Sequence, residues 1–172
     1  PAPLPSSGPR RRGTGGACAA GHLAAGETAD TLKRHALAVR NFFERVDGAN
    51  LDGELRTDQL EALLVPELDN LRAAHAWAIG EAGDVQVAIV LAACASTLDD
   101  FAVECADWLV QLQQHVEDGA VGPVVAARYW RAIASNNMAG RVPLVLQVEA
   151  SSRARLLYQT LGQPRRVYSS LV

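Results

Sequence analysis

The sequence predicts an all-α chain built from antiparallel helix pairs. Three observations carry this. Apolar residues recur at three- and four-residue intervals from about residue 30 onward. Glycines punctuate that pattern at positions 48, 83, 119, 140 and 162. No run joins strand-like alternation to a hairpin turn signal. Composition agrees, because Ala supplies 30 of the 172 residues and Trp, Tyr and Phe only three each. A core of Ala, Leu and Val favours closely packed helices over a sandwich of sheets.

The first 26 residues hold Pro1, Pro3, Pro5 and Pro9 and six glycines, too little apolar surface to offset the entropy of ordering. Residues 1–29 are therefore expected to be a disordered tail. A first amphipathic helix follows, with Leu32, His35, Ala36, Val39, Phe42, Phe43 and Val46 on one stripe. Asp30 or Thr28 caps it and Gly48 stops it. Thr57 caps a short helix carrying Leu60, Leu63 and Leu64. Pro66 opens another, with Leu68, Leu71, Ala74, His75, Ala78 and Ile79 inward, and Gly83 ends it. Residues 30–83 form this leading helical region.

Residues 84–172 read as helix pairs. Residues 85–99 are apolar nearly all round and predict a buried helix. Residues 101–118 pair with it through Val103, Trp108, Leu109, Leu112 and Val116. Residues 123–139 come next, with Val125, Tyr129, Ala132 and Ile133 on one side. Residues 143–161 follow, with Leu146, Ala150, Ala154, Leu157 and Tyr158 apolar. A last helix opens at Pro164 and is cut short by the chain end. Successive pairs begin about 38 and about 42 residues apart, within the roughly 34–47-residue periods of stacked helix pairs. The expected architecture is a tetratricopeptide-like right-handed α-solenoid whose last repeat is truncated.

The block at residues 66–79 (Pro-Glu-Leu-Asp-Asn-Leu-Arg-Ala-Ala-His-Ala-Trp-Ala-Ile), with Gly83 and Asp84 after it, resembles a recurrent block in bacterial signal-transduction ATPases of the STAND type. Arg34, His35, Ala36, Phe42 and Phe43 resemble the helix before that block. Trp108 and Leu109 resemble the end of a first repeat, and residues 154–162 the second helix of the next. The resemblance spans residues 31–172 and is nearest to winged-helix or LuxR-type transcriptional regulators that carry an ATPase and a helical array. It implies a cytoplasmic, non-catalytic sensor or scaffold portion, partnered by a protein, a peptide or the parent ATPase domain. The missing initiator Met predicts that the chain is a piece of a longer product.

The motifs of a nucleotide engine are missing from these residues. The single Lys, Lys33, follows Leu32 rather than Gly, so no P-loop is encoded here. No catalytic residue, cofactor or metal ligand is assigned. His35 and His75 lie near Glu44, Glu67 and Asp69, but no pair has the spacing of a metal site. They are expected to pack between helices. Asp69, Asn70 and Arg72 read as structural, with Arg72 reaching Asp69, Glu67 or a carboxylate of the preceding helix. Cys18, Cys94 and Cys105 have neither zinc nor redox spacing. The longest uncharged run, residues 85–98, is too short to cross a bilayer.

Net charge is only −3, but it is unevenly spread. Residues 44–118 carry 16 carboxylates against three arginines, while residues 128–172 carry seven arginines against Glu149 alone. The division reads as neighbouring helical layers pairing opposite charges, as a face exposed at a truncated end, or as a basic docking surface near the C-terminus, and direct nucleic-acid binding is not expected, since few aromatics accompany the arginines. The candidate interaction surface is Arg153, Arg155, Arg165, Arg166, Tyr168 and Leu171. Tyr168, Leu171 and Val172 form an apolar stripe that predicts self-association through the C-terminal helix, or stabilisation when the next repeat is added.

Overall fold

The computed structural model describes residues 15–135, 142–163 and 166, with the backbone alone over residues 15–26. Every regular element among the described residues is helical. The α-helices are α1 (Gly15–Leu51), α2 (Thr57–Leu64), α3 (Leu68–Ala78), α4 (Val85–Ala95), α5 (Ala102–Glu117), α6 (Pro123–Ser135) and α7 (Leu144–Thr160). Single 3₁₀ turns, Val65–Glu67 and Asp99–Phe101, lead into α3 and α5. Contacts divide the chain into two units, Pro1–Thr31 and Leu32–Val172. The described part of the first unit is the leading portion of α1, and the second unit contains all the packing below.

The centre of the second unit is α4. Its sequence has no charged residue, and positions 87–95 are buried all round. A helix with that distribution needs neighbours on several sides. It has them: α4 packs against α3, α5 and α6, and α6 in turn packs against α7 and α5. Asp84 caps α4 by accepting a hydrogen bond from the Gln86 amide at 2.9 Å. The short side chains of Ala88, Ala92, Ala93 and Ala95, all inaccessible to solvent, let the neighbouring helices approach closely. Leu91, Leu109, Ile133 and Tyr129 fill the space between them.

Helix boundaries depart from expectation in two informative places. Helix α1 begins at Gly15, because Ala17, Ala19, Ala20, Ala24 and Ala25 supply strong helix propensity between the glycines. It also runs through Gly48 to Leu51. A glycine inside a helix costs only about 1 kcal/mol relative to Ala, and the turn holding Val46 and Asp47 is anchored in the core. The actual stop is Gly53 (φ 76°), where the Glu54 amide donates to Ala49 O and the Gly53 amide to Asn50 O. Gly119 and Gly162 end α5 and α7 by the same left-handed arrangement.

Gly83 works differently. A Cβ there would sit 2.3 Å from the Ala78 carbonyl oxygen and 2.4 Å from that of Trp77. The chain leaving α3 folds back tightly over the helix end, and only glycine fits. Pro66 lies in the 3₁₀ turn rather than opening α3 itself. Four positions expected inward are exposed: Leu32, Leu63, Ile79 and Val103. Each belongs to an apolar stripe wider than the face its helix buries, and Ile79 sits just beyond the last residue of α3. The helix expected at Pro164 lies outside the described residues apart from Arg166. No helix among the described residues is long and apolar enough to cross a membrane.

Candidate functional site

Of the arginines nominated from sequence, Arg153, Arg155 and Arg166 lie among the described residues. Arg153, on α7, bonds Glu149 on its own helix and lies 3.7 Å from Glu117 of α5. Its guanidinium also sits 4.4 Å from the ring centroid of Trp130 on α6. It therefore ties three helices together. Arg155 is exposed and Arg166 half-buried. Arg165, Tyr168 and Leu171 lie outside the described residues. Sequence reading missed a second apolar face on α7: Leu144, Val145, Val148 and Leu156 are 62–80% exposed, opposite buried Ala150, Ala154 and Tyr158. A helical wheel separating the two faces of residues 144–160 would have revealed it.

A buried charge network joins α1 to α6. Arg131 Nη2 donates to Asp47 Oδ1 at 2.8 Å and to Oδ2 at 3.0 Å, with both side chains buried. Arg128 Nη1 lies 3.2 Å from Glu44 Oε1 and 4.0 Å from Asp47 Oδ2, and donates to Cys94 Sγ at 3.4 Å. Arg40 closes the row, with Nε 3.1 Å from Glu44 Oε2. Burial disfavours the Arg131 charge, yet the Asp47 carboxylate, together with smaller contributions from Tyr158 and Cys94, outweighs it and raises the guanidinium's pKa above its ordinary value. Arg131 Nε and the Tyr158 hydroxyl, both buried, have no partner among the described residues.

The sequence places these charges at Glu44 and Asp47, three residues apart on α1, and at Arg128 and Arg131, three apart on α6. That matched spacing was the signal that could have found the network. Regional balances, acidic over residues 44–118 and basic over residues 128–172, obscure it.

The block at residues 66–79 supplies one wall of a cavity of about 430 Å³. Its lining comes from the end of α3 (His75, Ala78, Ile79, Gly80), from Gly83 and Val85, and from α5 (Trp108, Gln111, Leu112, His115). The His75 imidazole stacks on the Trp108 indole, 3.8 Å between centroids and 8° from parallel. Phe101 meets the same indole edge-on at 5.4 Å. Burial pushes the His75 pKa down to about 4, with the Glu104 carboxylate opposing the shift, so the ring is neutral at pH 7. Its Nε2 is buried without a hydrogen bond.

Arg72 braces this wall from outside. It lies 3.1 Å from Glu104 of α5 and 3.2 Å from Asp69, and its guanidinium covers the Phe101 ring at 4.9 Å. The interhelical partner is thus on α5, not on the helix before it. Glu104 sits in the first turn of α5, where it meets Arg72 of α3. Asn70 donates to Glu67 at 2.7 Å, a local bond within the same turn. His35 is half-buried on α1 and takes no part in this cavity.

A second cavity of about 440 Å³ opens on the other side of Gly83, between Lys33 and Leu37 of α1, Trp77, and the start of α4 at Asp84 and Gln86. Among the described residues no three His, Cys, Asp or Glu side chains converge as a metal site would require. The two described cysteines are buried, and loss of hydration raises both thiol pKa values, that of Cys94 to about 12. Comparison with family models, with curated proteins and with solved structures returned no match.

Proposed function

We propose that the chain is a non-catalytic helical-repeat module, the sensor or scaffold portion of a cytoplasmic bacterial signalling ATPase or ATPase-bearing transcriptional regulator. One observation supports this above the others: the order in which helices touch. α4 meets α5 and then α6, and α6 meets α7, which is the neighbour pattern of stacked antiparallel pairs in a tetratricopeptide-like solenoid. In that reading α4–α5 and α6–α7 are two repeats, and the 66–79 block is the lead-in that the resemblance to STAND-type proteins assigns to it. The partner would be a protein, a peptide or the parent ATPase domain, met on the outer surface of the repeats.

The charge network favours a second reading in which the chain is chiefly a relay arm. The Asp47–Arg131 pair locks the leading helix α1 to the second repeat across the first, so a tilt of either repeat would be felt at α1. Both readings make the same demand on the gene. The reading frame upstream of Pro1 should encode a Gly-Lys-Ser/Thr nucleotide module, and Asp47→Asn in that full product should change nucleotide turnover. A frame that encodes no such module overturns both. Turnover unaffected by a substitution that leaves the protein folded removes the relay arm.

A further inference from the structure

The four most exposed large apolar side chains among the described residues all lie on α7: Leu144, Val145, Val148 and Leu156, at 62–80%. At about 100° of turn per residue they fall within one arc of about 120°, shared with Ser152, Arg155 and Gln159. The opposite arc holds Ala150, Ala154 and Tyr158, buried where α7 packs on α6. The helix therefore has two apolar faces, and the chain's own packing uses one of them.

Area, charge and the order of residues along the stripe indicate what covers it. Its exposed surface is on the order of 500 Å², a size at which an apolar patch marks an interaction site. Two such faces laid together remove about 1,000 Å² from water, the floor for a specific pair of proteins. Charge does not oppose this. Glu149, beside the stripe, is bonded to Arg153 of its own helix, and Arg155 is the one charged side chain within the arc. Bulky Leu144, Val145 and Val148 stand toward the start of α7, Leu156 stands toward its end, and small Ser152 lies between them. Antiparallel pairing about a two-fold axis near residues 150–151 sets Val145 of each copy level with Leu156 of the other. It also separates the two Arg155 side chains by about 14 Å along the helices, beyond the Debye length of about 8 Å. Parallel pairing would set those two charges level.

We propose that the outer face of α7 is the contact of a homodimer, in which the stripe from Leu144 to Leu156 packs antiparallel on the same stripe of a second copy. An interface of this area lies at the weak, reversible end of specific association. It is a different surface from the Tyr168 and Leu171 stripe, and it is independent of the sensor reading, because it rests on one helix face alone.

Sedimentation equilibrium of the full chain from about 10 µM to about 1 mM should show a monomer–dimer equilibrium with a Kd on the order of 100 µM. Val148→Asp and Leu156→Asp, both at exposed positions, should keep the helical circular dichroism of the natural protein and weaken dimerisation about tenfold or more. Leu171→Asp should leave the equilibrium unchanged. Cysteine pairing tests the direction. In a Cys18→Ser background, with Cys94 and Cys105 buried, a chain carrying Val145→Cys and a chain carrying Leu156→Cys should form a mixed disulfide when oxidised together. Neither should link to its own kind as readily, since equivalent positions lie about 16 Å apart along the antiparallel helices. A chain that stays monomeric throughout, a dimer indifferent to both aspartates, or one weakened as much by Leu171→Asp would each overturn the proposal. So would self-linked Val145→Cys outpacing the mixed disulfide, a readout that does not depend on the aspartate variants folding.

Discussion

Arg131 on α6 holds both carboxylate oxygens of Asp47 on α1, 84 residues earlier in the sequence, with neither side chain exposed to solvent. Such a pair adds little net stability over a well-packed apolar pair, but removing one partner strands a buried charge at a cost of roughly 3–5 kcal/mol. Asp47→Asn should therefore destabilise the chain by about that amount, a large share of a typical domain's total. Asp47→Leu combined with Arg131→Met should cost clearly less than the two single changes added together. Urea unfolding of the four proteins measures the coupling. Additive losses would mean that the two side chains act independently.

His75 should make stability depend on pH. Its folded-state pKa is depressed to about 4 by burial, below the ordinary histidine value of 6.5. The unfolded chain thus binds a proton first as pH falls, and the stabilisation is complete above about pH 6.5 and lost progressively toward pH 4. The full loss is on the order of 3 kcal/mol. The groups facing the imidazole are Glu104, with Arg72 behind it, and His115 across the cavity. Urea midpoints at pH 7.5, 6 and 5 should fall more steeply for the natural protein than for His75→Phe. Parallel curves would place the titration elsewhere.

Local pattern disclosed the helices and the core, and tertiary relations stayed hidden. The charge-free run that became α4 needed no partner to be recognised as buried. Gly119 announced the end of α5, because a left-handed residue at a helix end is a local requirement. Gly48 misled for the complementary reason: its neighbours Val46 and Asp47 are held by distant residues, and that anchoring overrides a small local preference. The Glu44–Asp47 and Arg128–Arg131 network was written in matched three-residue spacings, yet nothing local says that α1 and α6 meet. The cavity was less legible still. His75 and Trp108 lie on different helices, and each alone reads as a packing residue.

Gly83→Ala should be poorly tolerated. The added methyl would lie 2.3 Å from Ala78 O, and backbone rather than a flexible side-chain tip must move to relieve it. The loss should be roughly 1–3 kcal/mol, the usual range for overpacking. Gly80→Ala, whose nearest contact is 3.2 Å, is the matched control and should cost less. Thermal melts of the two variants give the comparison.

Thiol chemistry should report opening of the core. Cys94 is buried on α4, and loss of hydration drives its pKa up to about 12; Cys105 on α5 is raised as well. The Arg128 Nη1 at 3.4 Å from the Cys94 sulfur favours the thiolate, but desolvation dominates. Since the thiolate is the nucleophile, neither side chain should react with iodoacetamide at pH 8 while the chain is folded. Labelling must then proceed through unfolding, and when refolding is fast its rate follows the unfolding equilibrium. Asp47→Asn should accelerate labelling at Cys94 by the factor its stability loss predicts, about a hundredfold or more for 3 kcal/mol. Peptide mass mapping after timed alkylation measures this site by site. Rapid modification of Cys94 in the natural protein, or a rate indifferent to Asp47→Asn, would show that the thiol is reached by a local opening that does not involve the α1–α6 lock.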